Sequence, residues 1–319
     1  MTLTKTSFSL LADVGGTNSR LAIARDGVMD QKTIRRYANR GHSGFEAIVT
    51  QYLAEEGIAA CDDICVAVAG PISNGVARMT NLDWEIKPEA LAKASGASRA
   101  AVLNDLQAQG QALGHISKNA LRLLVDGQTA ATDATRLVIG IGTGFNCAPV
   151  HETPKLRYVA PSESGHITLP VRDEAMLRLA RALAGSDGFA SVEDVLSGRG
   201  LVHVHTHLHG PTRMKGEDIM EALDQGDSHA KETARLVAKI LGVVIGDQAL
   251  VHLPFGGIYL CGSVARALAP HLVALGFIDA FRDKGRFSEF LGSFPISVIE
   301  DDFAALTGCA AYLRALRNA

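Results

Sequence analysis

Apolar residues run almost unbroken from Phe8 to Val14, the pattern of a strand buried on both faces. The segment Arg20 to Asp26 predicts its partner, and Gly15-Gly16-Thr17-Asn18 between them reads as the turn, so the chain opens on a hairpin. Ser43 with Glu46 forms a capping-box pattern ahead of a helix reaching about Glu56, and Ile64 to Ala69 supplies a further all-apolar strand. Pro88 suits the first turn of a helix that ends near Ala94. The strand Ala100 to Leu103 then empties into Asn104-Asp105, which places a carboxylate where a strand ends.

The same grammar returns from Arg136 to Val150: an apolar strand over Leu137 to Ile141, a Gly142-Thr143-Gly144 turn, and a second apolar strand through Cys147 and Ala148. The two openings are a weak internal duplication, slight in identity but alike in context. Helices are predicted at about 172 to 184, 193 to 208, 215 to 223 and 228 to 251. A strand at Ile258 to Cys261, another helix, a strand at Ile296 to Ile299 and a last helix from about Phe303 complete the chain. No Pro/Gly/Ser-rich linker separates two domains, so any boundary follows from topology.

Composition narrows the class. The chain has 319 residues, enough for roughly two domains, and its 47% hydrophobic and 20% charged content is that of a folded globular protein. Net charge is -3 and no basic block occurs, which excludes a nucleic-acid binder. Five cysteines (Cys61, Cys65, Cys147, Cys261 and Cys309) cannot all pair and show no C-x-x-C spacing, as expected in a reducing cytoplasm. The N-terminal segment lacks a signal pattern, and the strongest apolar stretch, 240 to 246, is fenced by Lys239 and Asp247, so neither export nor a membrane partner is expected.

Candidate chemistry lies at the turns and strand ends. Glycine lets backbone N–H groups approach an anion closely, so two such turns could cradle a polyphosphate, each being an ordinary hairpin turn otherwise. A Walker A loop is absent, and Gly140-x-Gly142-x-Gly144 is followed by a strand rather than a helix, against a Rossmann reading. Asp13 could hold Mg²⁺ against phosphates, directly or through water, or simply shape the turn. Asn104-Asp105 could supply a general base or an N-cap. Glu163 and His166 read as hydroxyl-binding groups on a loop, with a core histidine as the bland alternative. Glu193 sits in the first turn of a helix capped by Ser191 and could reach the same pocket or favour the helix dipole. His203, His205, His207 and His209 read as a solvated helix face, and the absence of G-x-S-x-G argues against a serine hydrolase.

Taken in order, these segments resemble bacterial glucokinases of the type lacking the zinc-binding cysteine cluster of the ROK family. The resemblance rests on Asp13 to Asn18, Ala69-Gly70-Pro71-Ile72, Met79-Thr80-Asn81 with Trp84, Asn104-Asp105, Gly142-Thr143-Gly144, Glu163-x-x-His166, Glu193-x-Val195-x-Ser197-Gly198, Gly256-Gly257 and Asp283 to Phe287. It implies the two-domain, actin-like (ribonuclease-H-like) α/β sugar kinase fold with a central cleft, and a homodimer. The implied domains are a small one, 1–106 plus 303–319, and a large one, 107–302.

Carried over residue by residue, Asp105 looks like the general base and Asn104, Glu163, His166 and Glu193 like glucose ligands. Gly15, Gly16, Thr17 and Asn18 with Gly142, Thr143 and Gly144 look like the ATP-phosphate cradle, with Asp13 on Mg²⁺ and Gly262 near the adenosine. The implied activity is ATP-dependent phosphorylation of D-glucose at its 6-hydroxyl. Several positions depart from the family pattern: Asn146 and Ser164 stand where glycines are usual, as does Ser263 near the base, and Leu106-Gln107 and Phe303-Ala304-Ala305 differ from the usual neighbours of the base and of the last helix. Asn146 is expected to serve the turn through its tolerance of positive φ. Rival readings are a sugar-responsive regulator that keeps the fold without turnover, an actin- or chaperone-like ATPase, and, more distantly, a Rossmann dehydrogenase.

Overall fold

The opening hairpin forms as the apolar run predicts. In the computed structural model, which describes residues 6–79, 82–153, 157–186 and 188–318, β1 (Phe8–Val14) pairs antiparallel with β2 (Asn18–Arg25), with Asp13 opposite Arg20. Thr80 and Asn81 of the Met79-Thr80-Asn81 motif lie outside the described residues. β3 (Arg35–Ala38) lines the other edge of β2, while β4 (Asp63–Val68) runs parallel to β1 and β5 (Arg99–Asn104) parallel to β4.

Both faces of this sheet are covered, which explains strands without polar alternation. Leu10, Ala12 and Val14 face α1 (Phe45–Glu55) and α2 (Pro88–Ser95), whereas Leu11 faces the side covered by α3 (Asp105–Ala112) and the last helix (Ala304–Asn318). The last helix is latched at its end by Arg317. Its guanidinium donates to the buried Asp63 carboxylate at 2.6 Å and to the hydroxyls of Ser7 and Ser9 at 2.5 and 2.7 Å.

Two expectations are corrected here. Ser43 does not cap α1: the helix starts at Phe45 with Gly44 as N-cap and no side-chain cap, so the box pattern is one residue out of register. The domain boundary is not at 106 either. The chain divides into one unit of Met1–Ser117, Thr153–Pro161 and Asp301–Ala319, and a second of Lys118–Glu152 and Ser162–Glu300. α3 stays with the first unit because Ala108 packs beside Leu306 and Cys309 of the last helix. The 153–161 segment stays with it because Arg157 donates to the Gln111 carbonyl at 2.8 Å and Gln107 donates to the Val159 carbonyl at 3.1 Å.

The second unit repeats the strand path of the first. β7 (Arg136–Ile141) and β8 (Phe145–Glu152) form the hairpin, β9 (Ile258–Cys261) runs parallel to β7, β10 (Ile296–Ile299) runs parallel to β9, and β6 (Leu121–Val125) closes antiparallel on β10. The sequence-level duplication is thus a topological one: β2-β1-β4-β5 matches β8-β7-β9-β10.

Helices α4 (Glu174–Leu183), α5 (Gly198–His209), α6 (Gly216–Asp224), α7 (Ser228–His252) and α8 (Ser263–Leu268) contribute to one large core with these strands. α5 begins five residues later than predicted. Ser191 and Asp194 close a local turn through the serine hydroxyl at 2.7 Å, and Ser197, not Ser191, caps the helix by accepting from the Gly200 N–H. Its histidines are only partly a solvated face: His203 is exposed. His205 is buried and bonded to the Thr233 hydroxyl at 2.9 Å, and His209 stacks on His229 with centroids 4.3 Å apart. Among the described residues no helix is long and apolar enough to cross a membrane.

Candidate active site

In the first unit, the turn after β1 is closed by the Gly15 N–H donating to the Asn18 carbonyl at 3.0 Å. The buried Asn39 braces it, donating from Nδ2 to the Gly15 carbonyl at 2.7 Å while its own N–H reaches the Thr17 carbonyl at 2.9 Å. The turn opens on a 180 Å³ cavity lined by Asp13, Gly15, Thr17, Asn18, Arg20 and Arg36. Sheet register explains the charges: Asp13 faces Arg20 across β1 and β2, and Arg20 faces Arg36 across β2 and β3, so all three share one face. Arg20 pairs with Asp13 at 3.3 Å. Burial pushes the Asp13 carboxyl up, and the guanidinium draws it part of the way back.

Asn104 and Asp105 belong to the same sheet edge, because Val14, Val68 and Asn104 stand in register on β1, β4 and β5. Two strand spacings, roughly 10 Å, separate the turn from Asn104. Asn104 does serve as the N-cap of α3: its Oδ1 accepts from the Gln107 N–H at 2.6 Å and Gln107 Oε1 accepts from the Asn104 N–H at 3.0 Å. That reciprocal box fixes the strand-to-helix corner and leaves Asp105 as the first helical residue, exposed, with Oδ1 accepting from the Leu106 N–H.

In the second unit, the Gly142 N–H donates to the Gly144 carbonyl at 2.9 Å, and the Gly198 N–H at the start of α5 donates to the Gly142 carbonyl at 2.8 Å. Glu193 is not in a first helical turn. It precedes α5, accepts from the Phe145 N–H at 3.0 Å and pairs with Arg199 at 3.1 Å, so its carboxylate props the turn. A Cβ at Gly144 would run into that carboxylate. Gly262 has φ +98° and a Cβ there would strike the Ile141 backbone, so only glycine fits at the start of α8. Beside this turn a 510 Å³ cavity has apolar walls from Leu201, Met220 and Val264, polar lining from Thr143 and Ser263, and the charged side chains of Lys215, Glu217, Glu221 and Asp224.

Glu163 and His166 flank the short 3-10 turn Ser164–His166, and both are exposed, which removes the core-histidine alternative. The loop is tied down by the Glu193 N–H donating to the Gly165 carbonyl at 2.9 Å and by Asn146. Asn146 does not have positive φ, contrary to expectation; it works through its side chain.

Within each unit the predicted residues gather at one place. The first unit holds Asp13, Gly15 to Asn18, Asn104 and Asp105 on one sheet edge, and the second holds Gly142 to Gly144, Glu163, His166, Glu193 and Gly262 around one hairpin. Sequence reasoning missed Arg20, Arg36 and Asn39. The hairpin register, which sets Arg20 opposite Asp13, was the available signal for Arg20. No group of three or more histidine, cysteine, aspartate or glutamate side chains able to hold a metal occurs among the described residues.

The glucokinase family profile matches residues 10–316. The chain belongs to the glucokinase family. A glucokinase from Caulobacter vibrioides is 32% identical over 313 residues, covering 95% of this chain and 94% of its own. One from Photorhabdus laumondii is 30% identical over 315 residues, covering 96% and 97%. Among solved structures, a glucokinase from an Antarctic psychrotroph superposes with a TM-score of 0.83 at 26% identity, covering 96% of this chain and 98% of that one. A Balamuthia mandrillaris glucokinase in complex with glucose, at TM-score 0.81 and 18% identity over 98% of this chain and 95% of that one, shares the fold.

Proposed function

We propose that this chain transfers the γ-phosphoryl group of ATP to the 6-hydroxyl of D-glucose, with Asp105 as general base. The observation that carries the reading is the placement of an exposed carboxylate, Asp105, on the sheet edge that also bears the Asp13 glycine turn. Asn104 is held beside it by the helix cap, with the amide end of its side chain opposite the capping oxygen. Glu163 and His166 supply an acceptor and a donor–acceptor for sugar hydroxyls from one braced loop. Glu193 supports that loop and the second glycine turn together, so its contribution to sugar binding runs at least partly through position.

In the reaction the O6–H bond of glucose breaks as the new O6–P bond forms and the bond from the γ-phosphorus to the β,γ-bridging oxygen of ATP breaks. Asp105 takes the released proton, and ADP leaves with the bond electrons. Each turn would offer phosphate the backbone N–H groups it does not use in its own bracing, and donors fixed in advance need no rearrangement as charge shifts. Asp13 is the one carboxylate lining the first turn's cavity and stands there with Arg20 and Arg36, so the cavity would take Mg²⁺ only together with phosphates that draw the two guanidiniums to themselves. Mg²⁺, when bound with ATP, neutralises phosphate charge. Asp13 would hold it, directly or through water.

The repeated hairpin topology supports the actin-like superfamily assignment. Five buried cysteines, scattered through the sequence with no C-x-x-C spacing, support a reducing, cytoplasmic setting. We take the working form as a homodimer. A coupled assay with ATP across a hexose panel tests the function: glucose 6-phosphate should form with glucose as the best acceptor, and ATP hydrolysis independent of sugar would overturn the reading.

A further inference from the structure

Asn146 makes four hydrogen bonds with its side chain, three of them to the loop that carries Glu163. Its Nδ2 donates to the Ser162 carbonyl at 2.5 Å, and its Oδ1 accepts from the Ser164 N–H and the Ser164 hydroxyl, each at 3.1 Å. The fourth bond, from the Cys147 N–H to Oδ1 at 2.8 Å, anchors the amide on β8. Glu163 therefore lies between two residues pinned by one side chain. Its own carbonyl accepts from the His166 N–H at 3.1 Å, so the same pin reaches both exposed polar groups of the loop.

The clamp also has a fixed base. Asn146 follows Phe145, whose N–H is held by Glu193, and Glu193 in turn holds Gly165 through its backbone N–H. The loop is thus fastened at Ser162 and Ser164 by Asn146 and at Gly165 by Glu193. Ser164 is buried, and its hydroxyl gives the clamp a bond that an alanine would lose while keeping the backbone one.

We propose that Asn146, with Ser164, is a positioning residue for sugar recognition: it sets where the Glu163 carboxylate and the His166 ring meet the hexose hydroxyls without touching the sugar itself. This rests on the glucose reading above. A recognition loop held only by its ends would spread Glu163 over many orientations, and hydrogen bonds to a hydroxyl lose most of their value when poorly aligned. The clamp removes that spread before the sugar arrives, so its effect belongs in sugar affinity and not in nucleotide affinity.

The test is a double-mutant cycle of Asn146→Ala and Ser164→Ala, read by calorimetric glucose binding and by KM for each substrate. Asn146→Ala should weaken glucose binding about tenfold and Ser164→Ala about threefold, with KM for ATP within about twofold and kcat at saturating glucose largely kept. The double variant should lose less than the product of the two, because the singles break one shared set of bonds. If Asn146→Ala does not fold, Ser164→Ala carries the test. Unchanged glucose affinity in the variants while the wild type turns glucose over, or ATP and glucose constants moving together, overturns the clamp and leaves the function standing. A wild type that binds no glucose overturns both.

Discussion

The two glycine turns stand at the same point of the same strand path, yet they are braced by different means. The first is surrounded by ionised side chains, Asp13, Arg20 and Arg36, in one row across three strands. The second is tied mainly by backbone: the Gly142 and Gly198 N–H groups close it, Gly262 lets the start of α8 approach Ile141 at the end of β7, and the Glu193 carboxylate holds Phe145. Shared topology therefore fixes where a glycine turn lies and leaves open how it is braced. Side-chain charges can be altered one at a time without moving the chain. A backbone cradle fails when a single Cβ is added.

The sharpest way to break that comparison is Gly262→Ala. A residue at φ +98° and ψ 164° occupies a region essentially restricted to glycine, and its Cβ would meet main-chain atoms that cannot rotate away. The variant should lose about 2–4 kcal/mol in chemical denaturation. A loss below about 0.5 kcal/mol would show that the main chain at the start of α8 makes room for a side chain.

A smaller effect should separate the sugar loop from both turns. Glu163→Ala or His166→Ala should raise KM for glucose by roughly 10- to 100-fold, since a site built for hydroxyls discriminates through its polar groups, while KM for ATP stays within about twofold. If only the ATP constant moved, the loop would belong with the phosphate cradle.

The smallest effect concerns acid. Burial, with His209 and His229 close by, holds the His205 imidazole below its ordinary value. Thr233 and Asp227 on the α7 side also face this cluster, and Glu232 lies 4.0 Å from His209. A depressed value means that the folded state keeps His205 neutral. Its stabilising contribution is therefore complete above about pH 6.5 and is lost as pH falls below that toward the folded value. Melting temperature should fall by roughly 2 °C more in the wild type than in His205→Gln between pH 7 and pH 5.5. Parallel curves would mean that His205 takes up its proton without cost.

Much of this arrangement was legible in the sequence, and the misses share a cause. Unbroken apolar runs ending in Gly-Gly or Gly-x-Gly marked both hairpins, because buried strands and tight turns leave strong local signals. What failed depended on partners distant in sequence. Ser191 looked like a helix cap until Asp194 claimed it, and Asn146 looked like a turn residue until the Ser162–Ser164 loop supplied its partners. Ser43 misled through local register alone. The boundary near 106 missed the packing of α3 on the last helix, some two hundred residues away, and His205 and His209 of α5 left the solvated face only once Thr233 and His229 of α7 lay beside them.

The account stands on the Asp105 carboxylate as the group that takes the proton from glucose. The most direct measurement is kcat for Asp105→Ala, with glucose binding and melting temperature recorded on the same sample. A fall of about 10²–10⁴ in kcat, with fold and sugar affinity retained, is the predicted result. A folded, glucose-binding Asp105→Ala protein that turns over at near the wild-type rate would contradict it.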